Sequence, residues 1–274
     1  MSSNELHLFV LEGFGAEPQY LEKLEQNFFG RRIAVKCVFD AEIYQLYEQL
    51  KKEEFAVDIV NVLKERNPQN AEILKEYNRD SFAGVYLFFD YDAHSTLADD
   101  DKINEMLGYF DNETENGCLY LSYPMVEAIR HFRDLESYKD LVAKCKRSKS
   151  MDSMKCPNKL TCADIDSCLK EEHYKALSAR EGNPQLTNIN KYSFEVWKML
   201  ICANAFKMNY LVNDVYGMPD RYISQKMVFD KQLSKHIMQQ CPKVAVLSSF
   251  PLYVLDYYGT EWIKDLMQKD QEEV

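Results

Sequence analysis

The sequence has 274 residues, with 33 Lys and Arg against 44 Asp and Glu and a formal net charge of −11. At 46% hydrophobic, with nine glycines and eight prolines, it excludes a collagenous, low-complexity or disordered chain and can bury a core without staples. The acidity excludes a general polyanion binder, because the long-range field repels phosphates; any nucleic-acid contact needs a local basic patch or metal ions.

The first half alternates strand and helix patterns. Leu6–Leu11 is a short apolar run that reads as a buried strand ending at Glu12-Gly13. Glu17-Pro18 opens a helix with Tyr20, Leu21, Leu24 and Phe28 on one face. Arg32–Phe39 reads as a second strand and Ala41–Lys52 as an amphipathic helix. Residues 58–77 read as helical, broken near Asn67-Pro68. Gly84–Phe89 is the strongest strand pattern and runs into Asp90-Tyr91-Asp92. A helix over Asp99–Phe110, a strand over Cys118–Ser122 and a helix over Pro124–Phe132 follow. Strands separated by helices predict an α/β fold with a mainly parallel sheet flanked by helices.

From about Tyr138 to Gln240 the patterns are mostly helical, the clearest being Asn188–Leu211, apolar nearly all round. Val244–Leu247 reads as a late strand that could rejoin the first sheet, followed by Phe250–Tyr258 and a final helix. The expected division is an α/β domain over residues 1–137, a helical insertion or cap over 138–240, and a C-terminal strand and helices over 241–274 packing back on the first domain. The eight cysteines include no C-x-x-C pair, and neither a signal peptide nor a run of ~20 apolar residues is visible. The expectation is a cytoplasmic protein with reduced thiols and no membrane segment.

Glu12 and the pair Asp90 and Asp92 each follow an apolar strand, at the edge where open parallel sheets bind ligands. In an extended segment residues i and i+2 project to one side, so Asp90 and Asp92 can share a cation, with Glu12 facing it if strands one and three are neighbours. Such hard oxygen donors suit Mg²⁺ or Mn²⁺ and phosphoryl transfer. Glu127 follows another strand end and reads either as a fourth metal-site acid or as an acid favoured by a helix N-terminus. His94, two residues past the pair, reads as solvated or as a phosphate contact, and Asp99–Asp101 as helix-capping acids.

The stretches LFVLEGFGAEPQYLEKL (Leu8–Leu24) and GVYLFFDYDAH (Gly84–His94) together resemble the TOPRIM domain: a strand ending in Glu-Gly, a helix, then a strand ending in DxD. The first is similar to the EGxxTEPxYF start of the RloB-like branch, with Ala16 in place of Thr. LSYPMVEAIRHF (Leu121–Phe132) resembles a further segment of that branch through Ser122, Pro124, Glu127 and His131-Phe132, departing at Tyr123 and Ile129. The resemblance covers roughly residues 5–133. It implies Mg²⁺-dependent cutting or joining of phosphodiesters, with Glu12 as acid/base residue and Asp90 and Asp92 as metal ligands. It also implies an OLD-like or RloB-like effector of bacterial anti-phage defence, partnered by an SMC- or ABC-type ATPase. No GxxxxGK[ST] pattern occurs, so ATPase function would belong to the partner.

Lys144–Lys159 carries a local charge of +5 and includes Lys144, Lys146, Arg147 and Lys149. With Arg130 and Arg133 it reads as a phosphate-binding patch or as solvated loop. Cys156, Cys162 and Cys168, with His173, have spacing longer than structural zinc prefers. The expected activity is a metal-dependent nuclease cleaving DNA or RNA, with a homodimer as a possible assembly. The competing readings are a catalytically inactive module docking on an ATPase scaffold and a metal-dependent small-molecule phosphohydrolase.

Overall fold

The computed structural model describes residues 5–29, 34–144, 173–239 and 242–272, with side chains to residue 267. Its centre is a five-stranded sheet in the order β2-β1-β3-β5-β4. The strands are β1 (His7–Leu11), β2 (Ala34–Val38), β3 (Gly84–Asp90), β4 (Asp111–Asn112) and β5 (Gly117–Ser122). The pairs β1–β2, β1–β3 and β3–β5 are parallel, and only the two-residue β4 runs antiparallel, against β5. β1, β3 and β5 are buried along their whole length, which is why they appear as unbroken apolar runs rather than alternating ones.

The described residues are thus α/β, with a mostly parallel sheet flanked by helices. These are α1 (Glu17–Leu24), α2 (Ile43–Lys52), α3 (Ile59–Arg66), α4 (Pro68–Ile73) and α5 (Asp100–Tyr109). Asn67 separates α3 from α4: its side chain accepts the Asn70 amide at 2.8 Å, and Pro68 occupies the first helical turn. β4 was not expected. Asn116-Gly117, with Gly117 at φ +123°, closes its hairpin, and that dipeptide is the signal that could have revealed it.

Beyond the sheet lie α6 (Leu135–Lys139), β6 (Val142–Lys144), α7 (Tyr174–Glu181), α8 (Phe194–Asn213), α9 (Gln225–Gln232), β7 (Lys243–Ala245), α10 (Ser249–Tyr258) and α11 (Thr260–Glu272). Three expectations are corrected. The late strand does not extend the first sheet: β7 pairs antiparallel with β6, and contact with the main sheet's end is one bridge, Tyr123 to Leu247. Pro124–Phe132 is not an α-helix but a 3₁₀ turn over Val126–Arg130, because Tyr123 spends both backbone groups on Leu247 and the Pro124 carbonyl accepts the Asp92 amide. The helix expected from Asn188 begins at Phe194, because Asn188 caps a separate short turn and Ser193 caps α8 through the Val196 amide.

One face of the sheet presents Phe9, Tyr86, Phe88 and Tyr120 to α10. Phe250 stacks on Phe88 at 4.6 Å with 9° between the rings, and Tyr253 lies against all four. Such aromatic pairs contribute roughly 0.5–1.5 kcal/mol each beyond their buried area. On the other side α5 lies against β5 and α4 against β2. α8 runs between α6, α9 and α10; its buried Trp197 Nε1 has no hydrogen-bond partner among the described residues, whereas Asn204 and Lys207 are paired. Asn204 Oδ1 accepts from the Tyr138 hydroxyl and the Ser248 amide. Lys207 Nζ donates to the Tyr138 carbonyl at 2.8 Å and to the Leu141 carbonyl. Gln232 of α9 donates to the Ala245 carbonyl and accepts the Ala245 amide, both at 2.8 Å.

No helix among the described residues is long and apolar enough to cross a membrane.

Candidate functional site

The chain leaves β1, forms β2 on one side, and later returns to form β3 on the other. The C-terminal ends of β1 and β3 therefore border a topological switch point, the crevice where open parallel sheets take ligands. Glu12 is the first residue after β1 and Asp90 the last of β3. The Glu12 amide continues the ladder to the Phe88 carbonyl at 3.1 Å. Its side chain crosses to β3, where Oε2 accepts the Asp90 amide at 2.7 Å. The two acids are joined by the parallel pairing itself.

Asp92 reaches this edge differently from the sequence expectation. The segment after β3 is not extended: Asp92 has φ +29°, its amide bonds to the Pro124 carbonyl, and its carboxylate accepts the His94 amide at 3.3 Å. It is held by a turn, not by strand alternation. His94 itself is exposed, and its positive form would partly offset the charge of Asp92.

Burial is the main force on these carboxyls. Glu12 is pushed up to about 8 by desolvation, opposed by the Asp90 amide and reinforced by the charges of Glu17, Asp92 and Glu42. Asp90 is raised well above the ordinary carboxylate range by desolvation, then by Glu12, Glu17, Glu127 and Asp92. Asp92 is raised by desolvation and by Glu42. Asp90 is 7% exposed, and among the described residues no donor reaches its carboxylate oxygens. Glu127 Oε2 is buried without a hydrogen-bond partner, while its Oε1 lies 3.7 Å from Lys175 of α7.

Two acids join the group that sequence reasoning read as helix-start residues or passed over. Glu17, buried at the start of α1, folds under the preceding loop: a Cβ on Gly15 would stand 3.5 Å from its Oε2. Glu42 precedes α2 and receives the Ser95 hydroxyl. The one available signal was position, since Glu17 lies a few residues past the end of β1 and Glu42 past the end of β2.

Asp99 caps α5 through the Asp101 amide, and Asp100 accepts the Tyr91 hydroxyl, so this acidic run is engaged at the helix start. Arg130 is committed to α7: its guanidinium donates to Ser178 Oγ at 3.1 Å and to the Lys175 carbonyl at 2.7 Å. Arg133 is exposed, and Lys144 is the exposed end of β6. Lys146, Arg147 and Lys149 lie outside the described residues, as do Cys156, Cys162 and Cys168; His173 is exposed just before α7. Asp256, in α10, has a buried Oδ2 without a partner among the described residues, and burial pushes the carboxyl up to about 8, partly offset by Tyr120 and Gln225.

The fit to a divalent cation rests on the donor set. Among the described residues no three His, Cys, Asp or Glu side chains already stand together as a ligand cluster. What is present is a set of mutually repelling hard oxygen donors, one of which, Glu127 Oε2, is buried with no donor of its own. An ion of the Mg²⁺ or Mn²⁺ type fits that chemistry, because it supplies the countercharge the protein withholds.

Compared with protein-family models, with curated proteins and with solved structures, the chain matches none of them.

Proposed function

We propose that this chain is a Mg²⁺- or Mn²⁺-dependent nuclease with a TOPRIM-like sheet, cleaving DNA or RNA phosphodiesters at the ends of β1 and β3. The observation that carries the reading is the acid cluster at a topological switch point: Asp90, whose carboxylate receives no donor from the described residues, stands beside Glu12, and Glu127 Oε2 is buried without a partner. A structural acid in that position would be expected to have an amide, hydroxyl or cationic partner.

Asp90, Asp92 and Glu12, with Glu127 beside them, would hold the ion; when bound it neutralises charge on the phosphate and acts as a Lewis acid. Glu12 Oε2 is anchored by the Asp90 amide, which fixes the carboxyl while leaving Oε1 to exchange a proton. Without the ion, burial and neighbouring carboxylates hold the Glu12 carboxyl up at about 8; a bound cation would lower it and leave Glu12 as a carboxylate able to accept a proton as general base. The remaining acids exclude free anions from the crevice, so phosphate enters only with a cation.

Incubation of the purified chain with supercoiled plasmid, tRNA and total RNA in Mg²⁺ or Mn²⁺ tests this. Cleavage is expected, and Glu12→Ala abolishes it. A chain that binds the metal yet cuts no nucleic acid, alone or with an ATPase partner, overturns the reading. The narrower assignment, an anti-phage effector governed by an SMC- or ABC-type ATPase, rests on the RloB-like resemblance of Leu8–Leu24 and Leu121–Phe132. Co-purification with such an ATPase tests it.

A further inference from the structure

The loop joining β1 to α1 is Gly13-Phe14-Gly15-Ala16, and Phe14 lies two residues past Glu12. Its side chain is 54% exposed. Among the described residues its ring stacks on no aromatic side chain and no cation lies over it, whereas Phe28 and Phe55 each contact neighbouring rings. Of the exposed large apolar side chains among the described residues, only Phe14 sits in a loop that directly follows an acid of the cluster. That loop wraps the carboxylate of Glu17, so a solvent-facing ring is carried on a segment tied to the acids themselves.

Exposing a phenyl ring beside charged groups forgoes the burial that other large side chains of this core achieve. The surrounding charge is negative, so the rim attracts no phosphate by itself. A neutral π-face is the kind of contact such a rim can still make with a nucleic acid. It is available only to a base whose own face is free, because paired bases are already stacked on their neighbours.

We propose that Phe14 is a stacking platform for an unpaired nucleobase, making single-stranded or locally unpaired nucleic acid the substrate of this site. The proposal rests on the nuclease reading for its setting, and it adds which form of polymer is taken. Stacking is tolerant of base identity, so the preference is for strandedness and not for sequence.

The test compares the full chain with Phe14→Ala, Phe14→Leu and Phe14→Trp, after thermal melting has established that each folds. Binding of labelled U12, dT12 and a 12-base-pair hairpin is measured with Ca²⁺ in place of Mg²⁺, and cleavage of the same probes with Mg²⁺ or Mn²⁺. Phe14→Ala and Phe14→Leu are expected to weaken single-strand binding about tenfold, with Phe14→Trp equal to wild type. The salt dependence of binding stays unchanged, because no phosphate contact is lost. Comparison of U12 with dT12 tells RNA from DNA. If the wild-type chain binds or cuts and the variants lose nothing, or lose equally on hairpin and single strand, the stacking proposal falls and the nuclease reading stands. If the chain binds single strands through Phe14 but cuts none, the stacking role stands and the nuclease reading falls. If it binds no probe, both fall.

Discussion

Two buried charged groups in this molecule are treated in opposite ways. Lys207, 1% exposed in the middle of α8, donates to the Tyr138 and Leu141 carbonyls and lies 4.4 Å from the Tyr138 ring centroid. Burial pushes its ammonium well below the usual lysine range, with Asp140 opposing. Asp90 is nearly as buried but is given no donor, and its nearest charges are of its own sign. A fold that furnishes one buried ion with partners has the means to furnish both. The contrast separates a group that holds the helical region to the segment around β6 from one that, in the reading proposed above, is left for an outside cation.

Loss of the outside cation's ligands should give the largest effect. Glu12→Ala or Asp90→Asn is expected to lower cleavage about 10²–10⁴-fold. Mg²⁺ should raise the melting temperature of the wild type but not of Asp90→Asn, as measured by scanning calorimetry. Equal Mg²⁺ stabilisation of both would erase the distinction drawn between Asp90 and Lys207.

Lys207→Met tests the other side. It removes the two hydrogen bonds from Nζ, while the Tyr138 and Leu141 carbonyls keep the Leu141 and Val246 amides as donors, and about 1–3 kcal/mol of stability should be lost in urea unfolding, with no change in Mg²⁺ dependence.

Asp256 sharpens the comparison, being a buried acid with partial partners. Its folded pKa of about 8 lies above the ordinary aspartate value of 3.8. The native state therefore binds the proton more tightly than the unfolded chain. The stability linked to this proton is fully present below pH 3.8 and is lost as pH rises through 8. Asp256→Asn should remove that fall, worth about 1–2 kcal/mol after local relaxation, in unfolding midpoints taken between pH 4 and pH 9. Smallest is Ser178→Ala, which takes one acceptor from Arg130 and should cost about 1 kcal/mol.

The central strands were legible because β1, β3 and β5 are covered on both faces, so their apolar runs are uninterrupted. The acids at their ends were legible for the same reason: a carboxylate directly after such a run stands out. β4 was not, because two residues carry no periodicity and its hairpin signal lay inside an acidic stretch. The 3₁₀ turn after β5 was missed because Tyr123 is engaged by Leu247, more than a hundred residues away, and local propensity carries no trace of that partner. Glu17 and Glu42 join the candidate site through loops, and a helix-start acid reads the same whether it faces solvent or a crevice.

Gln232 has a consequence for how the protein behaves among copies of itself. A two-stranded ribbon such as β6–β7 leaves a row of amides and carbonyls open along its outer side, a template on which another chain can add a strand. By bonding both backbone groups of Ala245, the Gln232 side chain acts as a one-residue surrogate strand. The ribbon's edge is blunted from within, by a single amide delivered from a helix, and recruitment of a foreign strand at that position would first have to displace it.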